Sequence, residues 1–186
     1  MQRGFRLIFV CCILLLHAEV TSQTVISIPA YTAYAVPADE SKEDDESKMF
    51  TLQNGLHNWT NSKQQIQFFF KIRHKGKLHL SLQLKNTGAG NNLSVSVAGN
   101  DFTVIVPKST IFIPVTIGTV QINDTGFYTV TVSAGIKKTN TIADIKSLEL
   151  SGDATKNIHF NATARRNSAS VHLIYPLPDS PKVISF

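Results

Sequence analysis

Gln65-Ile66-Gln67-Phe68-Phe69-Phe70-Lys71-Ile72-Arg73-His74-Lys75-Gly76-Lys77-Leu78-His79-Leu80-Ser81-Leu82-Gln83-Leu84-Lys85 is the stretch that decides the fold. Ile66, Phe68, Phe70 and Ile72 alternate with Gln65, Gln67, Phe69, Lys71 and Arg73. After a turn at Gly76, Leu78, Leu80, Leu82 and Leu84 alternate with His79, Ser81, Gln83 and Lys85. Successive side chains of a strand point to opposite faces, so this period of two marks antiparallel strands with one face buried and one wet. The two runs read as a hairpin.

The same punctuation extends in both directions. Downstream, Leu93 to Val97 turns at Ala98-Gly99-Asn100-Asp101 into Phe102 to Val106, a second hairpin. Ile111 to Ile117 follows, with Pro114 marking an edge or a bulge. Tyr128, Val130 and Val132 mark another strand, and Ile145 to Leu150, Ile158 to Ala162 and Val171 to Tyr175 complete the set. Upstream, Thr24 to Ile28 and Tyr31 to Val36 are short extended segments separated by Pro29. No window has helical periodicity. About nine or ten strands at regular spacing predict an all-β, antiparallel two-sheet β-sandwich of jelly-roll type.

The first 22 residues are of another kind. Arg3 and Arg6 precede the apolar run Leu7 to Leu16, and Val20-Thr21-Ser22 offers a cleavage site, the pattern of a secretory signal peptide. Its core of about ten residues is too short for the ~20 that a spanning helix needs, so a secreted, extracellular protein beginning near Gln23 is expected. Cys11 and Cys12, the 2 cysteines of the chain, both fall in this segment, so the mature protein has no disulfide. Arg3, Arg6 and Glu19 also leave with it, so sixteen basic residues stand against twelve acidic ones, a net charge of +4.

Six of those acids, Asp39, Glu40, Glu43, Asp44, Asp45 and Glu46, form an arm with no apolar residue to bury. The arm reads as a solvated loop and as a weak calcium or mineral-surface candidate, although it lacks the glycine and distal glutamate of an EF-hand loop. Residues 49–186 then carry fourteen basic against six acidic residues, net +8. The expected organisation is a signal peptide over 1–22, an N-terminal extended segment with the acidic arm over 23–48, the sandwich over 49–178 and a tail over 179–186. That tail reads as the approach to a further strand, as at the end of a fragment or of a shortened relative.

Catalytic chemistry finds no local motif. The acids of the body are Asp101, Asp124, Asp144, Glu149, Asp153 and Asp179. Asp101, Asp124 and Asp153 stand beside glycines in predicted turns, and Asp144 and Glu149, five residues apart, would point to opposite faces if they shared one straight strand. There is no Gly-x-Ser-x-Gly elbow, phosphate loop or metal-type histidine spacing. A non-enzyme without cofactor or metal is therefore expected.

Two features suit binding. Lys71, Arg73, Lys75 and Lys77, with His79 after them, make part of one sheet's outer face positive, which fits anionic glycans; nucleic acid is not expected as a partner of a secreted chain that pairs no aromatic stacking with these basic residues. Trp59, the 1 tryptophan, is a candidate platform for a sugar ring as well as a core residue. Asn58, Asn92, Asn123 and Asn161 head Asn-x-Ser/Thr sequons and are candidate glycan acceptors, with Asn92 and Asn123 best placed near turns.

Asp124-Thr125-Gly126-Phe127-Tyr128 has the pattern of an immunoglobulin tyrosine corner, but only one strand follows the corner in that fold and three apolar segments follow here. Another likeness covers more of the chain. Asn58-Trp59-Thr60 ahead of an aromatic strand, Gly126-Phe127-Tyr128, Ile142-Ala143-Asp144-Ile145, Gly152 and Arg165-Arg166-Asn167-Ser168-Ala169-Ser170-Val171-His172-Leu173 together resemble the secreted family known as domain of unknown function 5077. The likeness runs over roughly residues 25 to 176 and draws Gly126, Tyr128, Asp144, Arg165, Arg166 and His172 into its motifs; Asn167-Ser168-Ala169 departs from the family's Gly-Pro there. The resemblance implies a β-sandwich similar to carbohydrate-binding modules. The function expected is a secreted, non-catalytic binding or matrix module for glycans. The alternatives are a structural component of an invertebrate or mineralised extracellular matrix, and an accessory domain of a polysaccharide-acting enzyme.

Overall fold

A computed structural model describes residues 24–37 and 49–162. The expected signal segment, the acidic arm, Arg165 and Arg166, the strand expected over Val171–Tyr175 with His172, and the tail lie outside the described residues.

Twelve strands are present among the described residues: β1 Ile26–Pro29, β2 Tyr34–Val36, β3 Phe50–Thr51, β4 Gly55–Leu56, β5 Gln65–Ile72, β6 Gly76–Asn86, β7 Asn92–Val97, β8 Asn100–Ile105, β9 Ser109–Ile122, β10 Gly126–Ala134, β11 Asp144–Ser151 and β12 His159–Phe160. The count exceeds the nine or ten read from the sequence because short pieces such as β3 and β4, a hairpin closed by the turn 52–54, carry little period of their own. Two six-stranded antiparallel sheets result. One has the order β3-β4-β11-β6-β9 with β1 beside β11; the other has the order β12-β5-β10-β7-β8 with β2 also beside β5.

The inward side chains of both sheets meet in one core. Ile66 and Ile72 from β5, Leu78 and Leu82 from β6, Val130 from β10 and Leu148 from β11 are all fully buried. Removing such side chains from water is the main driving force for this disulfide-free packing.

The decisive stretch is not a hairpin within one sheet. β5 belongs to the second sheet and β6 to the first, so Arg73–Lys75 is a corner that carries the chain across the sandwich. Asn123–Thr125 is a second such corner, carrying the chain back from β9 to β10. The two interlock, since Gly76 pairs with Ile122 and Gly126 pairs with Ile72. Gly76 at φ +143 and Gly126 at φ +151 adopt a backbone that L side chains rarely reach, which allows the abrupt change of direction. The expected β7–β8 hairpin is present. Ala98 and Gly99, at φ 49 and 74, form its two-residue turn, with both positive values that a type I′ turn demands.

Candidate functional site

The outer face of the second sheet is built by register. Tyr34 on β2 lies opposite Gln67 on β5; Phe69 lies opposite Thr129 on β10; Lys71 has Phe127 on one side and His159 of β12 on the other. Tyr34, Phe69 and Phe127 therefore occupy three neighbouring strands, each displaced by two residues from the last. Strands stand about 4.8 Å apart and alternate residues about 6.8 Å apart, so the diagonal is roughly 16 Å long.

Contacts along the diagonal are specific. The rings of Tyr34 and Phe69 meet edge to face, with centroids 5.5 Å apart. The Lys71 ammonium sits 4.9 Å from the centroid of Phe127, whose side of the sheet is open at 47% exposure. Beside the aromatics the face continues as Gln65, Gln67, Thr129, Thr131, Ser133, Ser94 and Ser96, which share rows across β5, β10 and β7. Apolar ring surface, hydroxyl and amide groups and one cation thus share a single broad face. Such a surface can meet the carbon face of a sugar ring while bonding its hydroxyls.

The residues expected from the sequence are distributed differently. Because the corner at 73–75 crosses between the sheets, Lys71 lies on the outer face of one sheet and Lys77 and His79 on the outer face of the other, with Arg73 and Lys75 between them. They ring one end of the sandwich and do not form one positive face. Lys75 pairs with Asp124 at 3.4 Å, both well exposed, and His79 Nδ1 hydrogen-bonds Thr119 Oγ1 at 2.7 Å. Trp59 is corrected more sharply. It is 0% exposed, and its indole N–H donates to the Asn61 carbonyl at 3.0 Å, so no face is turned outward for a sugar.

Asp144 is tied into the scaffold: its carboxylate pairs with Lys85 at 3.2 Å and accepts the Asn58 N–H at 3.2 Å, holding the turn that leads into Trp59. The Tyr128 hydroxyl donates to the Asp124 carbonyl at 2.7 Å, a tyrosine-corner bond in a sandwich of other topology. Glu149 accepts from Ser27 and Ser147 on the outer face of the first sheet. No group of three or more His, Cys, Asp and Glu among the described residues could hold a metal ion, and the acidic arm lies outside them. Of the sequon asparagines, Asn58 precedes Trp59 with φ 56, Asn92 opens β7, Asn123 stands in the corner before β10, and Asn161 follows β12. The sequence placed Phe69 and Lys71 outward by phase; Tyr34 and Phe127 were missed as their partners because the register of β2 and β10 against β5 has no local signature.

A family model described as domain of unknown function (DUF5077) matches residues 29–155. Arg165, Arg166 and His172 fall beyond that match. No curated protein matches the sequence. Among solved structures, the chain is similar to a CBM35 module from Cellvibrio japonicus Abf62 (18% identity, TM-score 0.49, covering 74% of this chain and 97% of that one). It is similar to the GH26-CBM35 β-(1,4)-mannanase of Podospora anserina (15% identity, TM-score 0.50, 71% of this chain and 28% of that one). It is also similar to a family 35 carbohydrate-binding module from Clostridium thermocellum (13% identity, TM-score 0.45, 68% and 97%). Likeness at this identity bears on the fold, a β-sandwich of the kind seen in carbohydrate-binding modules. No helix among the described residues is long and apolar enough to cross a membrane.

Proposed function

The chain belongs to the family of domain of unknown function 5077, and on that premise we propose that it is a secreted, non-catalytic glycan-binding module whose binding surface is the outer face of the second sheet. The observation that carries this reading is the aromatic diagonal Tyr34–Phe69–Phe127, flanked by hydroxyl and amide side chains in register. A linear polysaccharide lies along the diagonal, its ring faces against the aromatics and its hydroxyls against Gln67, Thr129 and Thr131. Lys71 and His159 stand side by side at the Phe127 end and suit an acidic sugar there. Secretion is supported by the signal pattern of residues 1–22, and a non-catalytic role by the absence of any local catalytic motif in the sequence.

The test is affinity electrophoresis of the mature chain through gels containing neutral and acidic polysaccharides, with Phe127→Ala and Lys71→Gln beside the wild type. Retardation of the wild type that both variants lose, with unchanged circular dichroism, is the expected result. Equal retardation of all three would remove the assigned face, and free migration of the wild type through every gel would remove the function.

A further inference from the structure

Two exposed large apolar side chains among the described residues, Ile105 at 74% and Ile136 at 55%, flank a single asparagine. Asn92 opens β7 and lies directly across from Ile105 on β8. On its other side its backbone N–H donates to the Ile136 carbonyl at 3.0 Å, and its Oδ1 accepts the Ile136 N–H at 2.5 Å. Gly135 makes room for this carboxamide: a Cβ there would come within 2.1 Å of Asn92 Oδ1.

Asn92-Leu93-Ser94 is a sequon held in a regular strand. Leu93 is fully buried, so Asn92 and Ser94 point to the outer face, and Asn92 is only half-buried there. The hydrogen bond from Ile136 fixes the carboxamide by its oxygen. Nδ2, the atom that would carry a sugar, has no hydrogen-bond partner among the described residues. Asn58 differs, because its Nδ2 is engaged with His57 Nδ1 at 3.0 Å.

We propose that Asn92 carries an N-linked glycan whose first sugar covers Ile105 and Ile136. The proposal rests on the secretory part of the reading above, and its donor is a lipid pyrophosphate-linked oligosaccharide. In the transfer, a bond forms between Nδ2 and the anomeric carbon while that carbon's bond to the pyrophosphate oxygen breaks. The pyrophosphate leaves with the electron pair, and the proton lost from Nδ2 passes to a base of the transferase. A sugar ring has apolar carbon faces, so the first residue shields the isoleucines that the protein leaves bare, and its hydroxyls replace them at the surface.

The experiment expresses the full chain in a eukaryotic secretory host and maps sequon occupancy by mass spectrometry. Ser94→Ala removes the sequon while keeping the Asn92 side chain and its bond to Ile136; Ser94→Thr keeps the sequon. The expected result is an occupied Asn92 in the wild type and in Ser94→Thr, and a Ser94→Ala protein that binds a hydrophobic dye and melts about 3 °C or more lower. Trimming the wild-type glycan to one sugar should leave dye binding and melting unchanged, and Ile105→Ser with Ile136→Ser should abolish the dye binding of Ser94→Ala. Secretion with Asn92 unoccupied, or a Ser94→Ala protein indistinguishable from wild type, overturns the proposal and leaves glycan binding untouched. Retention of the chain in the cytosol overturns both this proposal and the secretory reading.

Discussion

Asn91 is 1% exposed and is the knot between the loop before β7 and the loop before β11. Its Nδ2 donates to Thr139 Oγ1 at 2.7 Å and to the Thr141 and Ile142 carbonyls at 2.8 Å each; its Oδ1 accepts the N–H groups of Lys138 at 2.7 Å and Thr139 at 3.1 Å. In Asn91→Ala the carbonyls remain partly satisfied, because Asn86 also donates to both. The two N–H groups lose their acceptor, at about 1–3 kcal/mol for a buried orphan and less where water reaches, so the expected loss is roughly 2–4 kcal/mol. Asn91→Asp behaves differently with pH. Neutral aspartic acid keeps the acceptor for both N–H groups and can donate once to a carbonyl, whereas the carboxylate aims charge at carbonyl oxygens in a dry site. Burial and those oxygens push the folded pKa of this carboxyl above the ~3.9 of the unfolded chain. The folded state then binds more protons than the unfolded one, so stability relative to wild type is highest below the unfolded value and falls as pH rises towards the folded one. Urea titrations at several pH values should show Asn91→Asp less damaging than Asn91→Ala in acid and more damaging at neutral pH. A pH-independent order of the two variants would refute this account of the knot.

Phe127→Ala removes a ring that is 47% exposed, so its melting temperature should stay within about 2 °C of wild type while polysaccharide affinity falls roughly tenfold or more; a large thermal loss with intact binding would reverse the assignment. Asp144→Ala strands the partly buried Lys85 and the Asn58 N–H and should cost about 2–3 kcal/mol, whereas Asp144→Asn, which keeps the N–H acceptor, should cost about 1 kcal/mol by urea unfolding. Ala98→Asn relieves an alanine held at φ 49 in the β7–β8 turn and should stabilise by about 0.5–1 kcal/mol.

The alternation of residues 65–85 carried the fold class because two strands with inward Ile66, Phe68, Leu80 and Leu82 can only be half-buried. It could not say which layer each strand joins. A three-residue connection closes a hairpin or turns a corner with the same inward phase, and only pairing of Ile72 with Gly126 and of Gly76 with Ile122 separates the two. β11 hid a further detail: a register shift between Ile145 and Leu148 buries Ser147 and Leu148 in succession, which strict alternation forbids. The candidate face was half legible. Phe69 stood out as an apolar residue on the wet phase of β5, but its neighbours come from positions 34 and 127, and long-range register leaves no mark in a short window. Trp59 was ambiguous for the opposite reason, since a single aromatic has the same sequence signature in a core as on a platform.

Register also decides how the two proposals coexist on one sheet face. Tyr34, Phe69 and Phe127 climb from the row of Gln67 to the row of Lys71 while crossing from β2 to β10. Asn92 lies one strand beyond β10 and two residues past the row of Ser94, Ser133 and Gln65, in the other direction along the strands. With the strand and residue spacings above, it stands about 20 Å or more from either end of the diagonal. It is also off the diagonal's line, so a chain running past Tyr34 at one end and Phe127 at the other meets no obstacle from a sugar on Asn92. The glycan instead bounds the face on the β7–β8 side, where the aromatics give way to serines and an exposed isoleucine. Polysaccharide affinity should therefore be the same in the glycosylated wild type before and after enzymatic trimming of that glycan, compared by affinity electrophoresis. A marked gain on trimming would mean that the ligand crosses the serine rows of β7, on the opposite diagonal from the one the aromatics define.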